Sequence, residues 1–162
     1  MTPESYTLIT SRVEFASALR DALSMAAQAQ AREIFFADAD FAEWPLNEAG
    51  VIDDLGAWAG AGRKLVVYGA SFDEMARRQL RFVEWRRPWS HVVQCRSDDE
   101  IDADQVPTLL LVTGQVCVRL VDRVQFRGSI STRAIDLVEC REAVDALLQR
   151  SVETFPVTTL GL

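Results

Sequence analysis

Lysine and histidine are almost missing from this chain of 162 residues, each occurring once, as Lys64 and His91. One imidazole cannot form the histidine pair that most catalytic zinc sites need, and only His91 could orient a serine or cysteine nucleophile. The G-x-S-x-G elbow of serine hydrolases is absent as well. Cysteine is scarce: Cys95, Cys117 and Cys140 are odd in number, far apart and include no C-x-x-C pair. That pattern points to reduced thiols and a cytoplasmic protein. No apolar run approaches the roughly 20 residues needed to span a bilayer. The opening MTPESYTLIT lacks both the basic start and the apolar core of a signal peptide.

What is present is ordinary for a globular protein, with 49% hydrophobic and 25% charged residues. The length fits one α/β domain over residues 1–162. A formal net charge of −7 argues against nucleic acid as a partner. The charge is unevenly spread, however. Six arginines face one carboxylate, Glu84, between Arg77 and Arg96, and SDDEIDADQ then brings five carboxylates and no base. Such a block is either a solvated basic helix or a local patch for an anion or acidic partner.

Periodicity orders the elements. SYTLIT reads as a short strand. Ser11 and Glu14 form an S-x-x-E capping box for a helix ending near Ala31, with Ala16, Leu19, Leu23, Ala26 and Ala27 on one face. EIFFAD is a strand buried on both faces. Asn47 is predicted to cap a second helix that Gly60 and Gly62 close. KLVVYG is a second buried strand. Ser71 and Glu74 make another capping box, starting a third helix that Pro88 must end. HVVQC is a short strand, and TLLLVTGQVCVRLV forms a hairpin about Thr113-Gly114-Gln115. VQFRG adds a strand, and residues Asp136 to Thr154 form an amphipathic helix. Alternating β and α units followed by a C-terminal β-hairpin imply an α/β fold, a mixed β-sheet sandwiched by helices.

Candidate chemistry lies beyond the carboxyl ends of the strands, where open α/β sheets bind ligands. Asp38 and Asp40 follow EIFFA and could share a divalent cation in a metal-dependent phosphatase or phosphodiesterase. Gly69 to Ser71 lie where a helix start could hold an anion. In FVEWRRPWSHVVQCR, Arg86, Arg87 and His91, with Arg81 just before it, are candidates for binding an anion or acidic partner, since arginine suits bidentate recognition of phosphate or carboxylate. Trp85, Trp89 and Val92 are expected to pack.

The order of elements resembles one half of a phospholipase D-like domain: an opening helix, EIFFADADF, a helix, RKLVVYG, a basic helix, paired strands and a closing helix. In that superfamily a late strand carries H-x-K-x-x-x-x-D, followed by a G-S-x-N-like segment. The histidine attacks phosphorus and the lysine binds phosphate oxygens. The corresponding stretches here are VPTLLLVT and RGSIS, so that Val106 stands for the histidine, Thr108 for the lysine and Thr113 for the aspartate, while Gly128 and Ser129 match the later segment. No H-x-K exists anywhere in the chain. The resemblance therefore implies the fold, compatibility with a homodimer, no cofactor and loss of the phosphodiesterase chemistry. DFAEWPL, RRPWSH and the closing LGL are similar to a bacterial branch of these degenerate domains. A non-catalytic binding or interaction module, taking an unidentified protein or an anionic ligand, is the function this implies.

Overall fold

A computed structural model describes residues 3–157; the closing LGL lies outside the described residues. The first strand, β1 (Tyr6–Ile9), leads into helix α1 (Arg12–Ala29). Ser11 caps α1 by accepting the Glu14 N–H at 3.1 Å. The return arm of the expected capping box lands one residue earlier, because the Glu14 carboxylate takes the N–H of Thr10 at 2.9 Å. Strand β2 (Glu33–Asp38), helix α2 (Ala49–Trp58) and strand β3 (Lys64–Gly69) follow. Asn47 does not cap α2, whose flanking residue is Glu48. Its side-chain oxygen instead accepts the Arg81 N–H at 2.9 Å, a bond to a distant segment that outcompetes the local cap.

The basic helix is two helices, α3 (Asp73–Arg78) and α4 (Leu80–Trp85), broken at Gln79. Ser71 accepts the N–H of Asp73, not that of Glu74, whose carboxylate pairs with Arg77 and Arg78. Strand β4 (Val93–Ser97) precedes the hairpin of β5 (Thr108–Val112) and β6 (Val116–Asp122). Gly114 takes a φ of 75° in its turn, a conformation that glycine alone adopts without strain. Strand β7 (Arg127–Ser131), helix α5 (Ala134–Gln149) and the short β8 (Val152–Glu153) complete the described chain. The closing helix is thus shorter than its apolar spacing predicts. Arg96 on β4 bonds the Ser151 hydroxyl at 2.6 Å and its carbonyl at 2.8 Å, and draws the following residues into the sheet edge.

All eight strands form one sheet in the order β1-β7-β6-β5-β2-β3-β4-β8. β2, β3 and β4 are parallel; the remaining pairs are antiparallel. The mixed sheet flanked by helices is the architecture expected from the chain's rhythm. Successive side chains point to opposite faces, so Ile34, Phe36, Leu65, Val67, Leu110 and Val112 meet α1, α2 and α4 on one face. Phe35, Val66, Leu109 and Leu111 meet Cys140 and Val144 of α5 on the other. An aromatic row crosses the first face, with ring centroids 4.9–6.2 Å apart, in the order Phe126, Phe15, Trp44, Phe41, Phe72, Phe155. A guanidinium closes each end, Arg12 over Phe126 at 5.1 Å and Arg86 over Phe155 at 4.2 Å. Among the described residues no helix is long and apolar enough to cross a membrane.

Candidate functional site

The antiparallel register of β2 against β5 pairs Ala37 with Leu109, which brings Asp38 opposite Thr108 just beyond. Both point to the α1 face, and both are buried. The Thr108 hydroxyl donates to Asp38 Oδ1, and the Phe41 N–H donates to Oδ2 at 2.8 Å. Burial pushes the Asp38 carboxyl above its ordinary value, against the pull of these two donors. Asp40 Oδ1 accepts the Ala42 N–H at 3.0 Å, a local turn bond. A cavity of about 210 Å³ opens over these groups, bounded by Phe15, Trp44, Phe126, Glu43 and Arg123. Glu43 lies 3.3 Å from Arg12, and Arg123 donates to the carbonyls of Ala103 and Asp104 at 3.2 and 2.8 Å.

This is where the resemblance puts the reacting groups, and none of them is here. Thr108 has become the donor that holds Asp38. Val106 is buried in the second core. Thr113 lies just past the other end of β5, with its hydroxyl donating to the Glu33 carbonyl. His91 is exposed, three strands from β5 and at the amino end of β4. Asp38, by contrast, ends the parallel neighbour β2, so His91 and the carboxylates occupy opposite ends of the sheet. The metal-dependent alternative fails on the ligand set: among the described residues, no three His, Cys, Asp or Glu side chains group to hold a metal ion. Two oxygens of the Asp38 carboxylate and one of Asp40 are already engaged by protein donors.

The raised Asp38 pKa carries a sign. A carboxyl whose folded-state pKa exceeds its unfolded value stabilises the fold most when protonated, so its contribution falls as pH rises from the ordinary value near 3.8. In Asp38→Asn the new side-chain amide can accept from Phe41 with its oxygen and donate to Thr108, whose hydroxyl turns to accept. Thermal melts of Asp38→Asn and the parent between about pH 4 and 8 should therefore diverge in the variant's favour as pH rises. Parallel curves would show that Asp38 ionises freely in the fold.

The arginine candidates do not form one cluster. Arg81 is exposed, with a guanidinium N–H on the Asn47 carbonyl at 3.3 Å. His91 is close to Trp89, with ring centroids 6.0 Å apart. Arg86 is 4% exposed and turned inward. Its guanidinium donates to Cys95 Sγ at 3.3 Å and to the Phe155 carbonyl at 2.7 Å, while Nε has no hydrogen-bond partner among the described residues. Burial outweighs this guanidinium and pushes the Cys95 thiol up to about 11. Arg86 and Arg87 border a second cavity, of about 280 Å³, with Val83, Phe155 and Pro156. One signal in the sequence did mark Arg86: it lies four residues after Phe82, a core residue, and so on the same helix face.

The eight-stranded mixed sheet, its register and the site at the end of β2 define a phospholipase D-like α/β fold. Nuc from Salmonella typhimurium, a phospholipase D family member, matches with a TM-score of 0.59 at 9% identity, over 95% of this chain and 100% of that one. NucT from Helicobacter pylori matches with a TM-score of 0.59 at 9% identity, over 94% and 100%. TrmBL2, an archaeal chromatin protein with a novel mode of DNA binding, matches with a TM-score of 0.63 at 11% identity. That match covers 92% of this chain but 54% of TrmBL2, so the chain spans about half its length. No protein-family model and no curated protein matches the chain. At these identities the likeness is one of fold.

TrmBL2 corrects the exclusion of nucleic acid drawn from net charge. The same fold occurs in a DNA-binding protein, and net charge describes a whole surface whereas binding depends on the local one. With arginines and carboxylates segregated along this chain, −7 does not rule out a phosphate-bearing partner.

Proposed function

We propose that the chain is a phospholipase D-like domain that acts by binding without cleaving phosphodiesters, and that the Arg86–Arg87 surface takes an anionic group of its partner. One observation carries the proposal: a guanidinium 4% exposed, that of Arg86, bordering a cavity, with no ion-pair partner among the described residues. An isolated buried charge costs several kcal/mol, and a carboxylate or phosphate at the cavity mouth offsets that cost. The two donors already placed on Sγ and a carbonyl fix the planar group, so little side-chain entropy is lost on binding. Val106 and Thr108, where the superfamily carries histidine and lysine, support the absence of cleavage.

The test uses pyrophosphate, a carboxylate probe (glutarate) and a short DNA duplex, titrated against the protein and Arg87→Glu. Arg87 is exposed, and its reversal, in a variant that still melts in one cooperative transition, should weaken whichever anion the cavity takes at least fivefold. DNA as the source would add a steep loss of affinity with salt. Equal binding of every probe by the variant and the parent would overturn the reading. So would hydrolysis of bis(p-nitrophenyl) phosphate by the purified chain.

A further inference from the structure

The face of the sheet that α5 covers holds a cavity of its own, on the opposite side from the Arg86–Arg87 surface. We infer that this cavity, between the C-terminal end of α5 and the loop after β4, binds a free aliphatic α-amino acid, with Tyr68 as its floor, Asp98 taking the ammonium and Arg150 the carboxylate.

The cavity measures about 510 Å³ and lies beyond the carboxyl ends of β3 and β4, the end at which open α/β sheets bind ligands. Both of its walls are anchored. On one side Arg96 of β4 holds the Ser151 hydroxyl and carbonyl, and so fixes the chain just past α5. On the other, Arg123 donates to the carbonyls of Ala103 and Asp104, and Asp102 and Gln105 cap that single helical turn reciprocally. A site held this way loses little entropy when it is filled.

Tyr68 points to an occupant. It is 2% exposed, and its hydroxyl has no hydrogen-bond partner among the described residues. Unlike the Trp44 and Trp85 indole N–H groups, that oxygen is not sealed from solvent, so the polar tip opens to the cavity the residue lines. The tip lies toward Asp98, whose carboxylate adds to burial in raising the phenol above its ordinary pKa. A buried tyrosine usually spends its hydroxyl on a protein partner. This one presents a donor and an acceptor to the space above it.

Charge gives the class of ligand. Asp98, Glu100 and Arg150 border the cavity, and none of them has an ion-pair partner among the described residues. Asp98 is half-buried, with Oδ1 on the Glu100 N–H at 2.9 Å and Oδ2 free of protein donors. A plain anion would meet the two carboxylates, and a plain cation the guanidinium. A zwitterion suits both, its ammonium donating to Asp98 Oδ2 and the Tyr68 oxygen and its carboxylate accepting from Arg150. Ile101 and Leu147, both half-buried, give the apolar wall that an aliphatic side chain covers.

The ¹⁵N-labelled full chain, titrated with L-leucine, tests the assignment. Isoamylammonium chloride and sodium isocaproate, at equal ionic strength, are leucine without its carboxylate and without its ammonium. Saturable shifts at the Glu100, Ile101 and Arg150 amides are expected with leucine, and each analogue should bind about tenfold more weakly, having lost one charged contact. Tyr68→Phe removes a hydroxyl that no protein group uses, and should raise the leucine Kd by about the same factor. Arg150→Gln, at an exposed position without an ion pair, should weaken leucine as much while leaving isoamylammonium binding unchanged or tighter, and it reads the site even if Tyr68→Phe fails to fold. Equal affinity for leucine and isoamylammonium would reduce the cavity to an acidic patch and overturn the assignment. So would the absence of saturable shifts with leucine, or an unchanged leucine Kd in a folded Tyr68→Phe or in Arg150→Gln. The anion test on Arg87→Glu is read on the other face of the sheet, so either proposal can fail without the other.

Discussion

Gly128→Ala is expected to lose about 4 kcal/mol or more, a large share of the 5–15 kcal/mol that holds a typical domain together. Gly128 lies in the middle of three strands, paired with Ile9 on β1 and Leu120 on β6. A Cβ built on it would lie 1.9 Å from the Arg119 carbonyl oxygen and 2.8 Å from Leu120 Cα. Both are backbone atoms, so no rotamer change relieves the clash, and β6 must move from β7. The register shift between Leu120 and Asp122 marks why the strands come so close. A bulge sharpens the local twist and presses one backbone onto the next. Urea unfolding should show the midpoint collapse, or no folded baseline at all. Ser129→Ala, next in the chain and only half-buried, should stay within about 0.5 kcal/mol. A midpoint for Gly128→Ala close to the parent's would mean that the strands are farther apart than this register requires.

That contrast bears on what the resemblance could teach. Gly128 and Ser129 match the G-S-x-N-like segment of the resemblance, and in this chain Gly128 answers to packing. Similar limits run through the rest. EIFFAD and KLVVYG were legible as buried strands because continuous apolar runs have few other uses, and the α1 cap because its Ser11–Glu14 bond spans only three residues. The break at Gln79, the early end of α5 and the inward turn of Arg86 were not. Each depends on a bond to a segment 35 to 69 residues away: Gln79 to Trp44 and Phe41, Arg96 to Ser151, Arg86 to Phe155. The site divides the same way. Asp38 stands out as a carboxylate ending an apolar strand. Its partner Thr108, 70 residues on, is one threonine before a run of leucines until the sheet pairs them.

Gln79→Leu should cost about 2–4 kcal/mol and lower the melting temperature by about 10 °C. Gln79 is buried where α3 meets α4, with its amide donating to the carbonyls of Phe41 at 2.8 Å and Trp44 at 2.7 Å. Those carbonyls belong to the loop after β2, in which Phe41 is held at a φ of 62°, a left-handed conformation costly for an aromatic residue. Asp38 holds the Phe41 N–H and Gln79 holds its carbonyl, so one side chain on each side fixes the strained peptide units. Leucine matches the volume but leaves two acceptors without their amide donor; the weak Trp44 N–H bond to Phe41, at 3.3 Å, retains a little. With the loop released, Trp44 should meet water and its fluorescence shift to the red. Gln79→Glu separates hydrogen bonding from volume. Its carboxylate would face two carbonyl oxygens, so at neutral pH it should melt below Gln79→Leu. On acidification protonation restores one donor, and the variant should recover part of its loss while Gln79→Leu does not. A Gln79→Glu protein that melts like the parent at neutral pH would remove the clamp.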